Sequence, residues 1–153
     1  MSIRIADPQS EEDLKIIQTL LRRYSDWRDY DIALGDFDAE VAAPFEAYER
    51  ILIASDSEKP SGMVAFRKMG PYRCEMKRLW VLPEQQERGI GMALIKAILD
   101  QARSDGYEEM FLDTHPSMRE ARSLYHKVRF RECARYNQNP TPGIRFFKLN
   151  LRD

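Results

Sequence analysis

Apolar positions along the chain change period several times, and each change marks an element. Ile3 and Ile5 flank Arg4 in the alternation of a short opening strand. After Ser10, with Asp13 three residues on, Leu14, Ile17, Leu20 and Leu21 recur at helical spacing, which predicts an amphipathic helix with a capped start. The pattern turns irregular over residues 24–40, and a second short helix is expected before Pro44. Three strand-like runs follow, at 51–54, 63–66 and about 72–81, joined by connections short enough for an antiparallel meander. Pro83 stops the third run. Residues 89–104 return to helical spacing, with Leu94, Ile95, Ile98, Leu99 and Ala102 as the buried stripe and Gly106 suited to the position just past the helix end. A strand at 110–112 comes next, then a helix opened by a capping box at Ser117-Met118-Arg119-Glu120 and running to about Lys127. Phe130 begins a further strand, residues 137–143 make a polar, proline-rich connection, and Phe147, Leu149 and Leu151 alternate in a final strand. The predicted order is strand, two helices, three strands, helix, strand, helix, two strands: a single mixed α+β domain.

Composition narrows the function without naming it. The 153 residues fit one domain with a real core, and 43% hydrophobic with 32% charged residues is ordinary for a soluble protein. The longest apolar run is four residues, so no membrane span is expected, and the start carries no secretory pattern; a cytoplasmic location is the expectation. A net charge of −1 argues against phosphate-backbone binding, so no nucleic-acid partner is expected. Cys74 and Cys133 are read as free thiols rather than a disulfide framework. With only His115 and His126 besides, no metal-ligand spacing is present, and no metal is expected.

Chemistry concentrates at Gln86-Glu87-Arg88-Gly89-Ile90-Gly91, between a strand and an amphipathic helix. The first amides of a helix lack intrahelical partners and carry the positive end of its dipole, which suits a diphosphate. The glycines would keep side chains away from those amides, although two glycines can equally serve a tight turn. A dinucleotide fingerprint would need a third glycine where Leu94 stands, and a Walker A loop would need Gly-Lys-Ser/Thr, which is absent.

The stretch from Cys74 to Leu94, with its Gln-Glu-Arg-Gly-Ile-Gly loop, resembles the central strand and pyrophosphate loop of the GNAT superfamily of N-acetyltransferases. Ala121-Arg122-Ser123-Leu124-Tyr125 with Phe130 is similar to that family's later Ala-x-x-Leu-Tyr segment. Two departures stand out: Arg129 occupies a position usually held by glycine, and Met118 one often held by asparagine. The resemblance implies a GNAT-like fold, a central, mostly antiparallel sheet splayed into a cleft and flanked by about four helices. It implies acetyl-CoA as cosubstrate and a primary amine as acceptor, with a catalytically silent acyl-CoA-binding regulator as the alternative; it also admits a homodimer.

Within that resemblance, Leu79, Trp80 and Val81, the loop residues Gln86, Glu87, Arg88, Gly89, Ile90, Gly91 and Met92, and then Thr114, Ala121 and Leu124 are the expected cofactor-binding positions. Backbone groups of Leu79 and Val81 would pair with the pantetheine arm. Tyr125 is the candidate acid for the departing thiolate. Glu75 is the candidate base, against an outward-facing glutamate paired with Lys77; alternation would put Glu75, Lys77 and Leu79 on one face. His115 and His126 are read as surface or capping residues, and a covalent route through Cys74 is not expected. Finally, residues 24–40 carry Asp26, Asp29, Asp31, Asp36, Asp38 and Glu40 against the single base Arg28, interleaved with Trp27, Tyr30 and Phe37. Such a wall would draw a cationic acceptor, a small amine or an exposed lysine or N-terminal amine of a protein or peptide rather than an acidic metabolite, or it is an ordinary solvated acidic loop.

Overall fold

The structure is a computed structural model describing residues 2–27 and 37–152. The elements among the described residues are β1 (Ile3–Ala6), α1 (Glu11–Trp27), α2 (Phe37–Ala42), α3 (Pro44–Ala47), β2 (Arg50–Asp56), β3 (Lys59–Lys68), β4 (Arg73–Val81), α4 (Ile90–Ser104), β5 (Glu109–Thr114), α5 (Arg119–Lys127), β6 (Arg131–Cys133) and β7 (Arg145–Asn150), with a 3-10 turn at Pro83–Gln85 after β4. One seven-stranded sheet runs in the order β1-β2-β3-β4-β5-β7-β6. Its pairings are antiparallel except β4 against β5, which is parallel. The mixed α+β expectation and the element order hold, with one helix more than expected: Pro44 opens α3 as its first residue, where its missing N–H costs nothing.

Two hydrophobic layers clamp the sheet. α4 lays Leu94, Ile95 and Ile98 against Val64, Phe66, Met76, Leu112 and Phe147 on one face. On the other, Ile17, Leu20 and Leu21 of α1 meet Ile51, Ile53, Met63 and Trp80. β2 and β3 are covered on both faces, which is why their sequences read as apolar runs rather than alternating ones. Each fully buried aliphatic side chain here contributes about 1.5–3 kcal/mol.

The ends of the elements are where local chemistry shows. The Asp13 N–H donates to Ser10 Oγ at 3.1 Å while the Gln9 N–H donates to Asp13 Oδ2 at 2.8 Å, so the cap of α1 is reciprocal as expected. Gly106 follows α4 with φ 93°, and the Tyr107 N–H reaches back to the Ala102 carbonyl at 3.0 Å. Arg129 performs the same task after α5 without being glycine: its φ is 76°, and the Phe130 N–H bonds to the Tyr125 carbonyl at 3.0 Å. The departure from the family residue therefore leaves the turn geometry intact, at a strain of about 1–2 kcal/mol. The β2–β3 turn is tighter than expected, because Ser57 and Glu58 both take positive φ and let Asp56 pair directly with Lys59.

Two expectations need correction. The capping box at Ser117 does not form: α5 begins at Arg119, and no side chain caps it at Met118. The Ser117 hydroxyl is engaged instead with His115 Nδ1 at 2.7 Å, and the Ser117 N–H donates to that same nitrogen at 3.1 Å. The second concerns β4. Met63 faces Trp80 and Ala65 faces Lys77, so β4 holds one residue more than β3 between those pairs, and Arg78 takes φ 57°. This β-bulge reverses the alternation. Glu75 and Lys77 stay on the α1–α3 side, whereas Leu79 and Val81 turn to pack against the α4 layer. Leu79 thus faces away from Glu75.

Candidate active site

β4 and β5 pair only at Arg73–Glu109, Cys74–Met110 and Glu75–Phe111. Beyond Glu75 the two strands part, and the end of β4 keeps a free edge. A cleft of about 570 Å³ follows that edge, walled by residues 79–81, the loop after β4, the head of α4 and the first turns of α5. Every expected cofactor position lines it except Arg88 and Thr114. Thr114 ends β5, buried and paired with Arg145 of β7. Arg88 turns back to Asp56 at 3.2 Å, and Asp56 also accepts the Ser2 N–H at 3.0 Å. Those two bonds, the Ser2 amide first, hold the Asp56 carboxyl below its usual range.

The loop is held in a shape that presents backbone. Gly89 caps α4 with φ 84°, a conformation that glycine adopts without strain. The Ala93 N–H is the first to close onto the helix, at 3.1 Å from the Gly89 carbonyl, so the amides of Ile90, Gly91 and Met92 stay open at the positive end of the helix. Gly91 serves close packing: a Cβ there would sit 3.0 Å from Leu124 Cδ1. The Gln86 side chain pins the loop by donating to the Val81 carbonyl at 3.0 Å. Trp80 borders the cleft while its ring packs in the α1 layer, edge-on to Tyr24 at 5.6 Å.

Seven lining residues lie outside the expected set: Gln85, Ser117, Met118, Arg119, Glu120, Ser123 and Lys127. Arg119, Ser123 and Lys127 recur every four residues on α5, a spacing that marks one helix face, and the two cations are exposed along that wall of the cleft. Tyr125 lies behind that face. Its ring is buried in the α4 layer, edge-on to Phe130 at 5.6 Å, next to the lining residue Leu124.

On the opposite side of the β4 bulge lies a second pocket of about 430 Å³, lined by Ala39, Glu40, Ala43, Glu46, Ala47, Tyr48, Arg67, Lys77, Arg78 and Asn137. Glu75 sits beneath it, 1% exposed, and is a hub. Its Oε1 accepts Arg67 Nε at 2.6 Å. Its Oε2 accepts the Tyr136 hydroxyl at 2.5 Å and Asn137 Nδ2 at 3.3 Å, with Lys77 Nζ at 3.6 Å. Asn137 also donates to Asp113 at 2.7 Å, which ties the β6–β7 connection across β4 and β5. Burial, and then the Glu75 charge, push the Tyr136 phenol well above its usual range. Glu75 therefore pairs with Lys77 as the plainer reading expected, but as a buried anchor rather than an outward-facing side chain.

Arg78 forms the other half of this wall. It donates to both Glu40 oxygens, at 3.1 and 2.9 Å, and lies 5.8 Å from the Tyr24 ring and 5.6 Å from the Phe37 ring. Burial opposes the Arg78 charge, but Tyr48 and Glu40 outweigh it and raise the guanidinium pKa. Tyr48 also donates to Glu40. Glu40 is thereby neutralised and does not stand as a free charge in an acidic wall. Arg28, Asp29, Tyr30, Asp31, Asp36 and the side chain of Trp27 lie outside the described residues, while Asp26 and Asp38 are exposed.

The remaining candidates fall into place as supports. Cys74 is buried with its thiol pushed up to about 12, chiefly by desolvation, far from a nucleophile's range. Cys133 is also free. His126 is exposed on α5, edge-on to Phe147 at 5.7 Å. Among the described residues no cluster of three or more His, Cys, Asp or Glu side chains is arranged to hold a metal ion, and no helix is long and apolar enough to cross a membrane.

The family model described as the acetyltransferase (GNAT) family matches residues 14–130. The chain belongs to the GNAT family of acetyltransferases. An uncharacterised N-acetyltransferase of Schizosaccharomyces pombe is 31% identical over 98% of this chain and 96% of its own length. The human N-acetyltransferase 8 is 33% identical over 52% of this chain and 37% of its own. Among solved structures, a GNAT acetyltransferase of Staphylococcus aureus Mu50 superposes with a TM-score of 0.80 at 16% identity, covering 98% of this chain and 99% of that one. A Salmonella typhimurium structure holding its cofactor acetyl-CoA superposes at 0.74 with 19% identity, covering 99% of this chain and 95% of that one. At such identities the structures establish the GNAT fold, and the family match establishes an acetyltransferase.

Proposed function

We propose that this GNAT acetyltransferase moves an acetyl group from acetyl-CoA to a primary amine by direct attack within a ternary complex. The observation that carries this reading is the row of open amides at Ile90, Gly91 and Met92 facing the cleft along the free end of β4. Their donors suit a diphosphate, and the cations of Arg119 and Lys127 suit further phosphate charge. The unpaired edge at 79–81 suits the amide-bearing pantetheine arm, with Ala121 and Leu124 as its apolar wall. Acetyl-CoA, when bound, supplies a thioester as the activated acyl donor. Arg88 and Thr114 support this cleft from behind, one fastening the loop to β2 and the other holding the end of β5.

The chain's own residues meet two proton demands. An alkyl amine with a pKa near ~10 must shed a proton before it attacks. Lys77, on the acceptor side of the bulge, favours that loss, since a neighbouring cation disfavours an ammonium. Water in the pocket takes the proton, while Glu75, its oxygens already engaged, holds Arg67, Lys77, Tyr136 and Asn137 in place. Tyr125, one residue from the lining Leu124, provides the proton for the departing thiolate, whose pKa lies near ~8.5. Acetyl-CoA should raise the melting temperature, and an amine panel should release free thiol. Tyr125→Phe should lower kcat by about 10²–10⁴-fold with little change in acetyl-CoA affinity. An unchanged kcat removes Tyr125 as the acid, and no thiol release with any amine removes the transferase reading.

A further inference from the structure

The acceptor pocket has an electrostatic peculiarity. Its wall carries three cations, Arg67, Lys77 and Arg78, and two carboxylates, Glu40 and Glu46, with Glu75 beneath. Arg78 and Glu40 cancel in a two-pronged pair. Glu46 is exposed and makes no ion pair among the described residues. Arg67 and Lys77 are then left to share the single carboxylate of Glu75, which Tyr136 and Asn137 also engage.

The contacts leave both cations with donors to spare. Arg67 touches Glu75 through Nε alone, so the two terminal nitrogens of its guanidinium keep their N–H groups unbonded among the described residues, with the side chain 51% exposed. Lys77 reaches Glu75 only at 3.6 Å and makes no hydrogen bond there, although its side chain is 18% exposed. Asp113, which shares Asn137 with Glu75, is occupied by Asn137 and Asn139. A guanidinium fork and a half-sheltered ammonium facing one cavity match a carboxylate, because the fork meets both oxygens at once. The volume of about 430 Å³ falls in the range of small-molecule sites, roughly 300–1,000 Å³.

We propose that the acceptor carries a carboxylate besides its amine, and that Arg67 and Lys77 bind that carboxylate so as to deliver the amine across the β4 bulge to the donor cleft. The acceptor class is then a small amino-carboxylate of amino-acid type, not a purely cationic amine. This rests on the transferase reading above and narrows its substrate.

The test uses matched acceptors: free amino acids, the same amino acids as carboxamides, and the corresponding amines lacking the carboxyl group, each assayed for thiol release with saturating acetyl-CoA. The wild-type protein should favour the free acids by about tenfold to a hundredfold in kcat/KM. Arg67→Gln and Lys77→Gln should each erase most of that preference, Arg67→Gln through acceptor KM rather than kcat, and neither should change acetyl-CoA KM. Arg67→Lys should keep a part of it. Melting temperatures of each variant with and without acetyl-CoA verify that the donor side remains folded. Turnover of amides and plain amines as well as acids, or a preference that survives both Gln variants, overturns the carboxylate assignment and leaves the transferase reading standing. Acetyl-CoA binding with no turnover of any amine overturns both.

Discussion

The two cavities on either side of the β4 bulge, proposed as donor cleft and acceptor pocket, are built by opposite means. The donor cleft presents backbone: three open amides at the head of α4, a free strand edge, and a loop kept in shape by one glycine conformation and one glutamine side chain. The acceptor pocket presents side chains locked in pairs, with Glu75 binding four partners and Arg78 binding Glu40 and stacking on aromatic rings. Backbone recognition tolerates sequence drift, since any residue supplies an amide, and it suits a cosubstrate shared by a whole family. Side-chain recognition fixes one partner and changes with each substitution. One strand serves both because Arg78 takes a left-handed conformation and turns Leu79 away from Glu75.

The contrast can be broken first at its hub. Glu75→Ala should cost about 1–3 kcal/mol of stability, because Tyr136 and Asn137 lose a buried acceptor and Lys77 a sheltered counter-charge. Denaturant unfolding measures the loss, and the folded fraction should still bind acetyl-CoA with wild-type affinity. An equal collapse of that affinity would mean the two cavities are one unit. Glu75→Gln sharpens the role: an anchor raises acceptor KM and leaves the pH profile of kcat alone, whereas a base would remove the acidic limb of that profile.

On the donor side, Gly91→Val should weaken acetyl-CoA binding by roughly a hundredfold, as the new side chain must displace Leu124 from 3.0 Å and crowd the open amides. The acid-over-amide preference of residual turnover should persist. Gly89→Ala should cost less, about 1–2 kcal/mol, since only the strain at φ 84° is at stake and a Cβ there meets nothing within 4 Å. A full loss of binding in Gly89→Ala would show that the loop conformation matters more than the amides. The smallest effect concerns acid. The Asp56 carboxyl is held below its usual value, so its contribution is complete above the unfolded pKa of about 3.9 and disappears as pH falls through the lower folded value. Asp56→Asn should flatten stability against pH only in that window, measured by chemical unfolding between about pH 2 and 5.

The same contrast explains what the sequence made legible. Helical periodicity at Leu94, Ile95 and Ile98 located α4, and the glycines before it located the donor loop, because both signals are local. The acceptor pocket joins Glu40, Arg67, Lys77 and Asn137, residues spread over most of the chain, and no spacing rule links them. The β4 bulge was equally hidden: Arg78 carries no glycine or asparagine signal for its positive φ, so simple alternation put Leu79 on the wrong face. The Ser117 cap failed for a related reason, since the competing partner was the side chain of His115, two residues away. Arg119, Ser123 and Lys127 were within reach of periodicity, because their four-residue spacing marks one polar face of α5.

The most direct measurement is a crystal structure of the protein grown with coenzyme A. The diphosphate should lie against the amides of Ile90, Gly91 and Met92, with the pantetheine arm alongside residues 79–81 and the sulfur at the edge of the acceptor pocket. Coenzyme A bound on another face, or a cleft closed by the side chains of α5 while the coenzyme sits elsewhere, would contradict the account.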